Sequence, residues 1–292
     1  MPTPLALLRD RGLVRVVGPD ARKLLNGLVT NDLDQLDAQT AVHAGLLTPQ
    51  GKILFDFFVV KAGGDALLLD VARASAEALI KRLTMYKLRA AVTIEAAPAD
   101  LAVGAMWGDA ARVPAGVIAY QDPRLAALGQ RFVAPAGRVG EIPASQSDEA
   151  AYHAHRIALG VPEGGLDYAF ADTFPHEALF DQLHGVDFEK GCYVGQEVVS
   201  RMEHRGTARN RIVPVDGAGS LTAAAAVTAG EVSLGHIGSV AGRAGLALIR
   251  LDRAHEATQK GQPIVAGDVT LQLRKPDWAT FDMTGAKRLE PT

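Results

Sequence analysis

Lys190-Gly191-Cys192-Tyr193-Val194-Gly195-Gln196-Glu197, running on into Val198-Val199-Ser200-Arg201, gathers several reactive side-chain types into one short stretch. Two glycines allow a tight turn and a close approach of backbone to a ligand. Gln196 and Glu197 open a predicted helix whose free amides and dipole favour an anion. Cys192 stands just before that helix and two residues after Lys190, surroundings that favour its thiolate and suit it as a nucleophile or metal ligand. A lone cysteine is also commonly a small buried hydrophobe, so residue type leaves both readings open. Glu197 and Arg201 are four apart and suit an ordinary helix ion pair, while Arg201 and Arg205 complement the helix carboxyl end.

Cys192 is the only cysteine of the 292 residues. No intrachain disulfide can form, and no site built on several thiolates can come from one chain. His153 and His155, two apart on a predicted helix, point to different sides, and no histidine has a usual zinc spacing to Cys192. No metal ligand set is expected. A GxxxxGK[ST] phosphate loop and a G-x-S-x-G nucleophile elbow are both missing, which removes common nucleotide and serine hydrolysis. The formal net charge of −3 argues against an affinity built on neutralising nucleic-acid phosphates. The longest apolar stretches fall well short of the roughly 20 residues a membrane helix needs, so no membrane partner is expected. Near the amino end, Leu5-Ala6-Leu7-Leu8 runs at once into Arg9, Asp10 and Arg11 without a secretory order, and the expected location is cytoplasmic.

Outward from the octapeptide the texture changes twice. On the amino side, Gly12 to Gly18 reads as a strand, and Pro19-Asp20 opens a helix with Ala21, Leu24, Leu25 and Leu28 at helical spacing. Strands are expected over Ala41 to Thr48, Ile53 to Lys61 and Ala66 to Val71, divided by the turns 49–52 and 63–65. A helix follows from about Ala74 to Ala91, then the β-prone Val92-Thr93-Ile94. Short strands are expected at Gly116 to Tyr120 and Gln130 to Ala134, a helix over Ser147 to Gly160, a Gly/Pro-rich loop over Val161 to Pro175, and a short helix near His176 to His184. Beyond Arg211, short Gly-punctuated strands imply a small β-barrel, with Gly267-Asp268 as a two-residue hairpin turn. The class is α+β. The expected division is 1–210, two interleaved α+β units, and 211–292, the barrel.

The octapeptide resembles the signature of the YgfZ family, folate-binding proteins related to the glycine-cleavage T-protein (aminomethyltransferase) and to a mitochondrial iron–sulfur assembly factor. The resemblance extends over Val17-Gly18-Pro19-Asp20, Val29-Thr30-Asn31-Asp32, Leu47 to Ile53, Tyr86-Lys87-Leu88-Arg89, Arg156-Ile157 with Gly160-Val161-Pro162, and Phe174-Pro175-His176-Glu177. It implies an aminomethyltransferase-like cloverleaf of α+β units around a folate cavity, with a carboxyl-terminal β-barrel. It further implies tetrahydrofolate or a derivative as cofactor. Tyr152 is the candidate for stacking on the pterin, Arg89 and Lys190 are candidates for the glutamate tail, and Gly191, Tyr193, Gly195, Gln196 and Glu197 of the signature are further expected cofactor-binding residues around Cys192 and Lys190, the expected catalytic pair.

Departures from the T-protein pattern bear on activity. Phe55-Asp56 stands where T-proteins carry two adjacent acids, and Ala158 where they place a pterin-binding glutamate. An aromatic ring can neither accept a proton nor stabilise an iminium charge as a carboxylate would, so aminomethyl transfer is not expected. Arg11 replaces an amino-terminal aromatic. The function implied is a folate-binding accessory role in assembly or repair of iron–sulfur enzymes, especially four-iron ones. Carriers and client enzymes would be partners, and effects on tRNA modification would be indirect, without direct tRNA binding. A folate-dependent one-carbon transferase is the alternative.

Overall fold

The computed structural model describes residues 3–109, 112–206 and 208–285, which divide into two compact units. The first comprises 1–49, 53–152 and 183–194, and the second 50–52, 153–182 and 195–292.

In the first unit, one five-stranded sheet has the order β3 (Ala41–Leu47), β4 (Ile53–Lys61), β5 (Ala66–Ala72), β2 (Arg11–Val17) and β6 (Thr93–Ala96), every pairing antiparallel. Alternation along these strands sends Val14, Val16, Phe55, Phe57, Val59, Leu67, Leu69 and Val71 to one face. There they form an apolar cluster with Ala21 and Leu25 of α1 (Ala21–Asn26) and with Leu79 and Leu83 of α2 (Ala76–Lys87). Phe55, standing where an acid is usual in T-proteins, is therefore a core residue. The opposite face carries Phe58, Val60 and Leu68, which meet Tyr120 and Val133 of a second sheet. That sheet has the order β10 (Ser145–Gln146), β1 (Pro4–Leu7), β7 (Leu101–Met106), β9 (Gln130–Pro135) and β8 (Ile118–Gln121). With both faces covered, β4 and β5 read as almost continuous apolar runs.

Between the two sheets lies an ionic layer. Arg11 Nε and Arg131 Nη2 each donate to a carboxylate oxygen of Asp70 at 2.7 Å. The Tyr120 hydroxyl donates to Asp70 at 3.3 Å and is pushed above its ordinary pKa by burial, which keeps it neutral. Arg124 is paired with Asp122 at 2.9 Å. The three guanidiniums surround the Phe58 ring at 5.8, 4.9 and 4.5 Å from its centroid. Arg11, read from the sequence as a replaced aromatic, is thus a member of this layer.

The second unit holds the barrel. Six strands close in the order β11 (Asn210–Gly217), β14 (Ala244–Arg250), β13 (Val232–Ala241), β12 (Ala226–Ala229), β15 (Val265–Ala266) and β16 (Val269–Leu273). The β15–β16 turn is Gly267-Asp268 as expected, with Ala266 opposite Val269 and Gly267 at φ 59°. Helix α5 (Leu251–Gln259) buries Leu251, Ala254 and Ala257. The helix α3 (Glu149–Leu159) contributes Arg156 to this unit, fully buried against Asp167 at 2.7 Å. The same guanidinium donates to the Val161 carbonyl and to Ser239 Oγ of β13. Asp167 in turn accepts from the Ser239 and Glu163 amides. The Arg156-Ile157 and Gly160-Val161-Pro162 motifs therefore build a brace between helix, loop and barrel.

One expected element differs. Residues 176–184 form successive turns instead of a helix, with Leu179 at φ 65° and His184 at φ 52°. Burial of Ala178, Leu179, Phe180 and Leu183 follows no helical stripe, and packing of these side chains in several directions overrides local propensity.

Substituting Asp167 by Ala leaves the Arg156 guanidinium buried without its counter-charge and is expected to cost about 3–5 kcal/mol in chemical denaturation. Glu256→Ala, which removes the exposed i,i+4 pair with Lys260, is expected to leave the denaturation midpoint at its wild-type value.

Candidate functional site: the Cys192 loop and its anchors

Residues 183–194 return to the first sheet of the first unit and are fixed there by the Thr30-Asn31-Asp32 turn. Thr30 Oγ1 donates to the Gly185 carbonyl at 2.5 Å and accepts from the Gly45 amide, while the Asp187 amide donates to the Thr30 carbonyl at 3.0 Å. Asn31 Nδ2 bridges the carbonyls of His43 (2.8 Å) and His184 (2.6 Å), which holds His184 in its left-handed conformation. Asp187 Oδ1 accepts from the amides of Glu189 and Lys190 and so folds the next turn on itself.

Lys190 finishes the attachment. Its ammonium donates to the backbone carbonyls of Asn26 (2.8 Å), Val29 (2.8 Å) and Asn31 (2.7 Å), and lies 5.5 Å from the Tyr193 ring centroid. Burial pushes this amine down from 10.5 to about 8, against the opposing pull of Asp32, Asp187 and Asp34. The sequence placed Lys190 beside Cys192 as an activating charge; its Nζ instead fills three carbonyl sites after α1. Tyr193 is 8% exposed, its hydroxyl pushed up to about 12 by burial and then by Asp187. Val194 packs on the rim of the apolar cluster. Between these anchored residues Gly191 and Cys192 are exposed, which settles the burial question in favour of an accessible thiol.

Past the loop, within the second unit, Gly195 at φ 81° precedes α4 (Gln196–Arg205) and gives it no side-chain cap. Gly51, at φ 81°, lets the 49–52 turn lie against this helix start. A Cβ there would come within 2.8 Å of Val198 Cβ and 3.2 Å of the Gly195 carbonyl. Lys52 pairs with Asp172 at 2.7 Å and lies over the Phe174 ring. Gln196 is half-buried and Glu197 exposed at the first turn of α4.

The other candidates lie elsewhere. Tyr152 is 1% exposed. Its ring lies 5.8 Å from that of Trp107 and its hydroxyl accepts from Arg124 and Arg131, so it is a core member of the ionic layer with no open stacking face. Arg89 is exposed on the turn after α2. Asp56 is buried, on the same face of β4 as Phe58.

A cavity of about 560 Å³ opens in the first unit beside the anchored loop, and none of the site residues expected from the sequence is among its lining residues. It is lined by Asn31, Gln35, His43, His184, Asp187 and Phe188, with Gln39 and Glu189 among the remaining wall residues. Its volume falls in the range of small-molecule sites. The sequence signal was present in Thr30-Asn31-Asp32, but its pairing with 183–189 crosses some 150 residues of chain.

Lys190→Met keeps the volume and removes the proton-binding amine. Between about pH 8 and 10.5 the unfolded chain binds a proton that the folded one has released, so wild-type stability rises through that window. The rise is expected to shrink in Lys190→Met, measured by denaturation midpoints at pH 7.5, 9 and 10.5.

Comparison with known proteins places this geometry. Residues 10–144 match the GCVT N-terminal domain model and residues 209–281 the CAF17 C-terminal β-barrel domain model. A crystal structure of glycine cleavage system aminomethyltransferase T from Bartonella henselae superposes with a TM-score of 0.74 over 95% of this chain and 86% of that one. At 14% identity it shows the fold alone, an aminomethyltransferase-like mixed α/β fold with a closed six-stranded barrel. The mitochondrial iron–sulfur cluster assembly factor IBA57 homologue of Mycosarcoma maydis is 38% identical over 72% of this chain and 56% of its own length. The chain thus spans little more than half of this relative. IBA57 of Mus musculus is 33% identical over 93% of this chain and 84% of its own length, and that of Homo sapiens 32% identical over 93% and 84%. These relatives are mitochondrial by name, which overturns the cytoplasmic placement. The missing secretory order on which that placement rested tests for export alone. With a third of its residues identical to the mouse protein across most of both chains, the protein belongs to the IBA57 family of iron–sulfur cluster assembly factors.

Proposed function

We propose that the chain assists the assembly or repair of iron–sulfur clusters, four-iron ones especially, by offering Cys192 to a cluster held jointly with a partner. The observation that carries this reading is an exposed thiol on a loop whose two flanks are fixed, by Lys190 on one side and by buried Tyr193 on the other. A protein cluster is usually held by four cysteine thiolates, so the remaining ligands belong to carrier or client proteins. A tRNA-modification defect would then be indirect, through a cluster-containing client. The YgfZ-like signature around Cys192 supports the same reading.

Tetrahydrofolate or a derivative is the small molecule we assign to the 560 Å³ cavity. Its walls fit the pterin end. Gln35 and Gln39 offer amides, Glu189 is an exposed carboxylate suited to the donor edge of the pterin, and Phe188, 39% exposed, offers a ring face that Tyr152 does not. Among the described residues no lysine or arginine lines the cavity, so the glutamate tail would extend beyond it. When bound, folate would supply a one-carbon carrier. This chain's residues hold and orient it. Aminomethyl transfer itself is not part of the proposal, because Phe55 is a core residue and Ala158 carries no acid.

Two experiments test these assignments. In a strain lacking the gene, wild type is expected to restore a four-iron enzyme and Cys192→Ser to fail, with an iron-independent enzyme unchanged in both; full rescue by Cys192→Ser removes the thiol from the function. In calorimetry, tetrahydrofolate is expected to bind, with Phe188→Ala weakening it about tenfold; the absence of binding at about millimolar ligand refutes the cofactor assignment.

A further inference from the structure

The carboxyl end of α2 carries an apolar tip that the fold does not need. Met85 is 70% and Leu88 87% exposed, the two highest values among the exposed large hydrophobic side chains described. Leu88 has φ 45° and ψ −107°, a backbone state that a leucine rarely adopts and that glycine or asparagine would hold with less strain. The turn around it is fixed. The Ala90 amide donates to the Lys87 carbonyl at 2.8 Å, and the Ala91 amide to Asp20 Oδ2 at 2.8 Å. Tyr86 and Ala90, on either side, pack inward on the apolar cluster. Leu88 is therefore held out rigidly by neighbours that face in.

The surroundings of this tip are cationic. Arg82, Lys87 and Arg89 are half-buried or exposed, and none is in an ion pair among the described residues; Lys81 is paired with Glu77 at 2.6 Å. The chain as a whole has net charge −3, so this is a local positive patch on an acidic protein, able to orient it towards an anionic surface within a Debye length.

We propose that this tip is a peripheral docking point for an anionic membrane surface, with Leu88 and Met85 entering the headgroup–acyl boundary and Arg82, Lys87 and Arg89 facing lipid phosphates. A side chain with nearly all its surface outside projects from a convex point. A bilayer accommodates any such projection, whereas a folded protein partner needs a socket of matching shape, and a nucleic acid makes little use of an apolar tip between cations. No spanning helix is required, and none of the helices among the described residues is long and apolar enough to be one; the expectation of no membrane partner rested on span length alone and does not bear on a peripheral contact. The proposal stands independently of the role of Cys192 and of folate.

The full chain would be sedimented with phosphatidylcholine vesicles and with vesicles containing phosphatidylglycerol, at low and at high salt. Binding is expected to the anionic vesicles alone and to be lost at high salt. Leu88→Asn is compatible with the positive φ, so it should melt no lower than wild type yet partition about tenfold more weakly. The triple variant Arg82→Gln, Lys87→Gln, Arg89→Gln is expected to lose the preference for anionic vesicles, and Lys260→Gln, an exposed site in the second unit, to keep it. No binding to anionic vesicles, equal binding to both kinds, or wild-type binding by both the Leu88 and the triple variant overturns the proposal. So does soluble polyglutamate displacing the protein from vesicles at charge concentrations where chloride does not, since that result assigns the patch to an acidic protein.

Discussion

The attachment of residues 183–194 to the Thr30-Asn31-Asp32 turn is the constraint on which the candidate site depends. The segment has no helix or strand of its own, so its backbone groups must find partners elsewhere. They find them on Thr30 and Asn31, and the Lys190 ammonium meets three carbonyls left open after α1. An ammonium carries three proton donors, so one side chain satisfies three acceptors and stays half-buried with no carboxylate in contact among the described residues. Displacing any one of these bonds would leave a carbonyl without its donor and release the only cysteine from a defined position.

This arrangement gives the octapeptide residues distinct tasks. Lys190 and Tyr193 hold, Gly191 and Cys192 are offered to solvent, and Gly195 turns the chain into α4. The chemistry is thus concentrated on one exposed sulfur, with rigidity supplied by its neighbours, which is how loops carried by a rigid scaffold usually present function. A thiol fixed in this way has little conformational freedom to lose on meeting a partner-held cluster.

Charge within the first unit follows a different logic. Asp70, Arg11 and Arg131 meet almost wholly buried, and Tyr152 joins them through its hydroxyl. Such a layer is costly to desolvate and tolerates no missing member, so it specifies how the two sheets pack. It also explains why an aromatic placed by resemblance near a ligand turns out to be an interior residue.

Periodicity and turn chemistry determined much by themselves. The alternation in β2 to β5, the spacing of Ala21, Leu24 and Leu25, and the Gly267-Asp268 hairpin are local patterns fixed by side-chain period and allowed φ, and the barrel followed from short Gly-punctuated strands. The eight-residue motif also marked the region that carries Cys192. What the sequence left open was every question of direction. Whether Lys190 faces a thiol or three carbonyls, whether Tyr152 lines a cavity or a core, and whether 176–184 winds into a helix or into turns all depend on groups distant in sequence, such as Asn31, Arg131 and the inner faces around Leu179. Local pattern constrains which residues share a face, but burial and pairing energies between distant segments decide what that face meets, and those energies exist only once the chain has folded.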